Sequence, residues 1–349
     1  MAYASEIRTE FNLIMAKKRP LAIVVHGGAG PDSDRIKSNQ EWYVNGIKDA
    51  VEAGYKILEE GGTAVDAVEA AVKSLEDNLN FNAGRGSALN SEGEVEMDAA
   101  IMSGKDRASG AVTMLRNVKN PISLAKAVML NTSYRFLGDM GALKYAKQID
   151  IKLAPNSYFV TEHQYDAFDK KRKEEFNSSD SVALKQINQR FHGTVGAVAL
   201  DHDGNVASAT STGGIENQLS GRIGDSCIIG AGCFADNKIA AISATGDGEI
   251  IMKQVVAHDI AAAIEYKNLN LQEACDFIVH QKDKLVEGDI GVIAIDSGSN
   301  IGIAFNSERM HRGWKTSENR AEAKIYPDGG QGPAEEKEKE KKRQNAKKS

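Results

Sequence analysis

Between Ala154 and Phe191 the chain loses all clean hydrophobic periodicity; its middle reads DAFDKKRKEEFNSSDSVALKQINQR, charged and poor in aromatics. A stretch of about 38 residues without structure of its own is longer than compact domains normally carry. Order then returns abruptly at Thr194 with TVGAVAL, in which small and β-branched residues alternate. Any fold for this chain must therefore join two ordered halves around a segment that packs poorly, which reads as a flexible linker over about 154–193.

Both halves mix strands and helices. LAIVV (21–25) is a buried strand running into the glycine-rich turn HGGAG (26–30). Helical periodicity follows over Asn39–Glu60 and again from Thr63, an N-terminal cap, through VDAVEAAVKSLED. FNAGRGSALNSEGEVEMDAAIMSG reads as short strands and turns, Ser109–Val118 as a strand, and Pro121 opens a helix over SLAKAVML. After the linker, Thr194–Leu200 and Val206–Thr210 form a hairpin about His202-Asp203-Gly204-Asn205. Lys238–Ser243 is a strand, Glu249–Tyr266 a long helix, and Gly291–Asp296 with Ile301–Phe305 a second hairpin about 297–300. Strands and helices in both halves point to a layered α/β architecture. The first 20 residues are an irregular extension, 21–327 read as one domain, and 328–349 as a charged, solvated tail.

Composition narrows the class. The net charge of −6 opposes a general nucleic-acid binder. Three cysteines are too few for a disulfide framework, no apolar run approaches membrane-spanning length, and the N-terminus lacks a secretory apolar core. The expectation is a cytoplasmic protein without nucleic-acid or membrane partners. Thirty-three glycines against 6 prolines indicate an ordered fold with close backbone approaches.

Gly193-Thr194 stands where the linker meets the first strand of the second half. A hydroxyl nucleophile needs a base, and an N-terminal threonine supplies its own α-amine, with a pKa of about 7.7–8.0. Such a residue exists only after the preceding bond is cut, and Gly193 leaves that carbonyl unobstructed. Taken alone, Gly-Thr at a strand start is common. The hairpin adds a second argument: if its turn centres on Asp203-Gly204, paired residue numbers sum to about 406 or 407, and Thr194 faces Thr212 or Gly213. Such a pair also serves simply to stabilise a sheet. Thr245 closes another strand before Gly246 and Gly248, a turn whose backbone N–H groups suit a carboxylate or an oxyanion, or make a plain strand-to-helix connection. Arg222 and Asp225 would read the carboxylate and ammonium of an amino acid, or form an ordinary salt bridge. His26 reads as a structural histidine, His192 precedes the cut, Cys227 and Cys233 as packed hydrophobes, and HGGAG is not a dinucleotide fingerprint.

At this point the sequence resembles the plant-type asparaginase/isoaspartyl peptidase family of N-terminal nucleophile hydrolases. The resemblance covers roughly Leu21–Trp314 and rests on HGGAG (26–30), FNAGRGS (81–87), GEVEMDAAIM (93–102), HGTVGAVALD (192–201), ATSTGG (209–214), GRIGDSCIIGAGCFADN (221–237), TGDGE (245–249) and FNSERMHRGW (305–314). It implies a four-layer αββα sandwich, made as a precursor that cuts itself into an α subunit ending at Gly193 and a β subunit beginning at Thr194, assembled as a dimer of αβ units. It also implies that Thr194 is the nucleophile, that Thr212 assists it, and that Thr245 and the Gly246 N–H form the oxyanion hole. Arg222, Asp225, Gly246 and Gly248 would hold the substrate's zwitterion, with Asn82 beside them. No cofactor is implied for catalysis; a structural sodium ion would sit on backbone carbonyls of Leu75, Glu76, Asn78, Phe81, Ala83 and Arg85. The implied substrates are L-asparagine and β-aspartyl dipeptides. Asp247 departs from the usual neutral residue or histidine and adds negative charge beside the carboxylate-binding turn. The alternatives of the same fold are a glycosylasparaginase, a taspase-like threonine endopeptidase, and an unprocessed binding protein.

Overall fold

LAIVV becomes β1 (Ala22–Gly30), buried along its whole length. Its unbroken apolar run reflects cover on both faces. Ile23 and Val25 join one hydrophobic cluster, and Ala22 and Val24 join the other. The strand does not stop at His26 but continues through the glycines, with a register shift between His26 and Ala29. Gly28, at φ +106°, takes up that irregularity in a region closed to side-chain-bearing residues. The computed structural model describes residues 20–177, 193–282 and 288–328.

Apart from the helices Asp34–Ser38, Asp139–Gln148 and Asn156–Phe159, β1 is followed in chain order by α1 (Gln40–Glu59), α2 (Ala64–Glu76), β2 (Met97–Ser103), β3 (Ser109–Leu115), α3 (Pro121–Asn131) and β4 (Phe136–Gly138). Then come α4 (Glu162–Asn177), β5 (Val195–Leu200), β6 (Val206–Thr212), β7 (Cys233–Ala235) and β8 (Ala241–Gly246). The last stretch holds α5 (Gly248–Gln254), α6 (Val256–Lys267), α7 (Leu271–Asp276), β9 (Ile290–Ile295), β10 (Ile301–Phe305), β11 (Arg309–Thr316) and β12 (Glu322–Lys324). Eight strands form one sheet in the order β12-β11-β1-β5-β6-β2-β3-β4, and four form a second, β10-β9-β8-β7. Every pairing is antiparallel except β3 with β4.

Side chains alternate between faces along a strand, and that alternation sorts the core. Val195, Ala197 and Ala199 of β5 pack in the cluster that includes Ile47 of α1 and Val68, Val72 and Leu75 of α2. Val198 and Leu200 pack with Ile242 and Ala244 of β8 and Val292 of β9. Helices α1, α2 and α3 lie against the large sheet, α6 and α7 against the small one, and the two sheets touch through pairs such as β1 with β9 and β5 with β8. Gly196 marks how close they come: a Cβ there would sit 2.1 Å from Ser243 Oγ and 2.4 Å from His26 Nε2.

The expected linker is helical in its first part, with Asn156–Phe159 and α4 where irregular chain was anticipated. Phe159 and Phe168 are buried, and the Gln164 amide donates to the Gly86 carbonyl at 2.6 Å. The hold on the body thus comes from a few spaced contacts rather than an apolar stripe. The rest of the linker (178–192), the first 19 residues and 329–349 lie outside the described residues. The expected long helix Glu249–Tyr266 is two helices broken at Val255, which adopts φ +52°. The break frees the first turn of α6 to donate from Ala257 and His258 to the carbonyls of Ala231 and Gly230, at 3.0 and 2.7 Å. The strand anticipated at Lys238–Ser243 forms three residues later, as β8. Among the described residues no helix is long and apolar enough to cross a membrane.

Candidate active site

The β5–β6 hairpin fixes the geometry. Val195 pairs with Ser211, and a Gly204 at φ +79° closes the turn. The sum of 406 places Thr194, one residue outside β5, opposite Thr212, as the turn chemistry anticipates. On the next strand Asp98 pairs with Thr212. Opposed residues share a face, so Thr194, Thr212 and Asp98 form a row across three strands on the side that meets the small sheet. The other face of β6 has a different fate: Ser211 donates to Glu76 Oε1 of α2 at 2.7 Å.

Thr194 is buried, and its Oγ1 lies 3.0 Å from Ser226 Oγ. Ser226 is itself pinned, its carbonyl accepting from Thr210 Oγ1 at 2.6 Å. The Thr194 carbonyl accepts from His26 Nδ1 at 3.0 Å, and Nε2 of that ring meets Ser243 Oγ at 2.7 Å. Since a carbonyl only accepts, Nδ1 carries the proton and Nε2 takes the serine hydroxyl. Burial lowers the His26 pKa to about 3, so the ring is neutral and clamps the strand, the structural role expected of it. Gly193 is held between Gly28 and Asn82. A Cβ on Gly28 would lie 2.7 Å from Gly193 Cα, and one on Gly193 would lie 3.0 Å from Asn82 Cβ.

One narrow cleft gathers most of the anticipated residues: Gly193, Thr194, Thr212, Arg222, Asp225, Gly246 and Gly248 all line it. Its volume is about 10 Å³, near the minimum for a single water molecule. Asp225 is fully buried. Desolvation drives its pKa up to about 7, and Oδ2 has no hydrogen-bond partner among the described residues. An orphaned buried carboxylate oxygen costs about 1–3 kcal/mol or more, so its place on a cleft wall suits a donor from outside the chain. Asp98 is likewise raised by burial, while accepting from Thr113 Oγ1 at 2.7 Å and the Met114 N–H at 3.0 Å.

Three anticipated residues are engaged differently. Arg222 does not present a free fork: Nε and Nη2 donate to the two carboxylate oxygens of Glu249 at 2.9 and 3.1 Å, and Nη1 donates to Gln218 Oε1 at 3.2 Å. Thr245 stands behind the cleft wall rather than on it, its Oγ1 accepting from the Ala29 N–H at 3.3 Å. Asn82 ties loops together, donating to the Gly214 carbonyl at 2.6 Å and accepting from the Ala88 N–H at 2.8 Å. Asp247 caps α5, its Oδ1 accepting from the Ile250 N–H at 3.4 Å. Ser226, Asp98 and Glu249 went unnoticed in the sequence. Ser226 adjoins the flagged Asp225, and Glu249 closes TGDGE, but only the folded chain aims them at Thr194 and Arg222. The thiols of Cys227, Cys233 and Cys275 are free and buried, with pKa values pushed up by desolvation, which keeps them as unreactive packing groups.

The family described as asparaginase matches residues 19–325. The chain is 44% identical to an isoaspartyl peptidase/L-asparaginase of Xenopus laevis over 289 residues, covering 82% of this chain and 90% of that one. It is 46% identical to the human isoaspartyl peptidase/L-asparaginase over 276 residues, with 79% and 86% covered. An isoaspartyl peptidase of Escherichia coli K12 is 38% identical over 310 residues, with 88% and 97% covered.

Proposed function

The chain belongs to the asparaginase family, and on that premise we propose that it is a self-processing hydrolase of β-aspartyl dipeptides and L-asparagine whose nucleophile is Thr194. The arrangement of two facing sheets between helices is then the four-layer αββα sandwich of N-terminal nucleophile hydrolases. The observation that carries the reading is the single cleft in which Thr194, Thr212, Arg222, Asp225, Gly246 and Gly248 converge with Gly193 lying among them.

The chemistry runs in two stages. In the uncut chain Thr194 Oγ1 attacks the Gly193 carbonyl, the C–N bond breaks as an ester forms, and water hydrolyses the ester. The new α-amine, with an ordinary pKa of about 7.7–8.0, then serves as the base for its own hydroxyl. Gly193 leaves a cleft that previously had room for about one water, and the aspartyl head takes that space. Arg222 exchanges the Glu249 carboxylate for that of the substrate, Asp225 takes its ammonium, and the backbone of Gly246 and Gly248 closes around it. Thr194 Oγ1 attacks the side-chain carbonyl while the α-amine takes the hydroxyl proton. The Gly246 N–H on the cleft wall holds the tetrahedral oxyanion, and the Thr245 hydroxyl, whose oxygen rests on the Ala29 N–H behind that wall, would have to turn into the cleft to join it. The leaving nitrogen receives the proton as its C–N bond breaks, and water activated by the same amine releases aspartate.

The loop after α2 fits an alkali cation by the chemistry of its donors. A Cβ on Gly84 would lie 2.3 Å from the Glu76 carbonyl oxygen and one on Gly86 would lie 2.1 Å from that of Phe81, so glycine lets these carbonyls crowd inward. Hard oxygen donors suit such an ion, and carbonyls of Leu75, Glu76, Asn78, Phe81, Ala83 and Arg85 would hold a sodium ion that supplies structure and no catalytic step. Free thiols accord with a reducing cytoplasm, and a dimer of αβ units is the expected assembly.

The purified protein should run as two fragments on a denaturing gel, one beginning at Thr194, and should release aspartate from both substrates. A chain that stays whole and inactive under native conditions overturns the proposal and favours an unprocessed binding protein. A processed chain acting on glycosylasparagine alone favours that alternative instead.

A further inference from the structure

The motif GEVEMDAAIM (93–102) brings two acids close to the cleft without placing either on its wall, Glu96 and Asp98. They stand two residues apart at the start of β2, so both project to one face, and both are almost fully buried. Glu96 Oε1 accepts from Arg116 Nη2 at 2.8 Å and from Ser220 Oγ at 3.2 Å, while Oε2 accepts from the Gly221 N–H at 3.0 Å. Asp98 Oδ1 accepts from Thr113 Oγ1 and the Met114 N–H, and the Gly224 N–H is a further donor to the same carboxylate. The two acids thus hold the two ends of loop 220–224, which carries Arg222 at its centre and leads into Asp225.

Little else fixes that loop. Leu219 is 79% exposed and Ile223 37% exposed, so neither apolar side chain anchors it in the core. Arg222 is tied to Glu249 and Gln218, and a substrate carboxylate that takes the guanidinium breaks the Glu249 pair. After that exchange the backbone around Arg222 rests on Glu96 and Asp98, since Gln218 belongs to the same segment.

The large sheet is deformed where it makes this mount. Met97 pairs with Leu115 but Ala99 pairs with Val112, so Asp98 faces two residues of β3, Thr113 and Met114. Such a bulge re-aims side chains and donors. Met114 takes φ +53°, uncommon for a residue with a side chain, and its N–H thereby meets the oxygen that Thr113 Oγ1 also reaches. Backbone strain of this kind persists where surrounding contacts over-determine it, and it gathers at binding sites.

We propose that Glu96 and Asp98 are positioning residues that clamp the two ends of loop 220–224 and so set where Arg222 and Asp225 meet the α-carboxylate and α-ammonium of the substrate. The inference rests on the hydrolase reading above. The aspartyl head is the same in the bound substrate and in the transition state, so loosening the clamp weakens both alike and raises KM with kcat spared.

The test compares L-asparagine, β-aspartyl-leucine and the α-carboxamide of L-asparagine, with rates taken per processed chain. The unaltered enzyme should prefer L-asparagine to its α-carboxamide, which offers Arg222 no charge. Asp98→Asn keeps an oxygen for Thr113 and Met114 but sets an amide NH2 against the Gly224 N–H. It should raise KM about tenfold for both L-asparagine and β-aspartyl-leucine, the scale of one lost hydrogen bond to a charged group, with kcat within about threefold. The preference for acid over carboxamide should fall about tenfold with it. Glu96→Gln should shift the same two quantities severalfold, and it decides alone if Asp98→Asn does not cut itself. An unaltered enzyme indifferent to the carboxamide, a loss carried by kcat alone, or a preference unmoved in the processed variants overturns the clamp and leaves the hydrolase reading intact. If neither variant cuts itself, the two acids serve the fold as a whole and the clamp is likewise overturned. No turnover of L-asparagine or β-aspartyl-leucine by the unaltered enzyme sinks the hydrolase reading and the clamp together.

Discussion

Two buried carboxylates on opposite faces of the large sheet invite comparison. Asp225 and Glu76 are both fully buried, both keep one oxygen without a partner among the described residues, and both are pushed up by desolvation, to about 7 and about 8. Glu76 lies between α2 and β6, where Ser211 Oγ and the Ile122 N–H both donate to Oε1. Asp225 faces a cleft with two threonines, an arginine and five glycines. Burial and a displaced pKa are therefore shared by a group that ties a helix to a sheet and a group that faces a cleft. What separates them is access and the convergence of other reactive groups. A shifted pKa marks a candidate, and the cleft decides.

The largest effect expected from breaking this contrast is at Thr194. Thr194→Ala should stay a single chain on a denaturing gel and lose at least about a thousandfold in activity, since no second hydroxyl occupies its position. Wild-type cleavage in that variant would refute the assignment. Next comes Asp225→Asn, which removes the proposed partner of the substrate's ammonium and should lower kcat/KM by about a hundredfold, on the scale of a lost buried charge pair. Its folded pKa lies above the ordinary carboxylate value, so the binding form, the carboxylate, accumulates only as pH rises through about 7. The rising limb of kcat/KM against pH should therefore lose its Asp225 component in the variant; a profile unchanged in shape would count against the assigned role. Ser226→Ala should cost about tenfold, chiefly in kcat, because it removes the hydroxyl that fixes Thr194 Oγ1. The smallest effect belongs to Glu76→Gln: the amide oxygen keeps both donors, so activity should stay within about threefold and unfolding free energy within about 1 kcal/mol. A loss at Glu76 as large as that at Asp225 would erase the distinction between them.

Much of the site was legible because it depends on local patterns. The Asp203-Gly204 turn and the alternation in TVGAVAL suffice to set Thr194 against Thr212, and that register holds through β5 and β6. The cap at Thr63 is equally local, its hydroxyl accepting from the Asp66 N–H at 3.1 Å. Elements shaped by distant partners were less readable. Val255 breaks a helix that its own sequence would continue, because Gly230 and Ala231 offer carbonyls to the new first turn. The helix Glu162–Asn177 has little amphipathic signal, since single anchors such as Gln164 on Gly86 hold it rather than a stripe.

The sequence by itself determined β1, the β5–β6 and β9–β10 hairpins, the register of the first and the residue types that make threonine chemistry conceivable, because neighbours along the chain and across a tight turn obey fixed periods. Tertiary structure alone decided that Ser226 reaches Thr194, that Glu249 occupies the fork of Arg222, and that Asp98 completes the threonine row. It also decided that Glu96 and Asp98 hold the two ends of loop 220–224. Those contacts join segments far apart in the chain, and no local period links them; they exist only once two sheets have packed face to face.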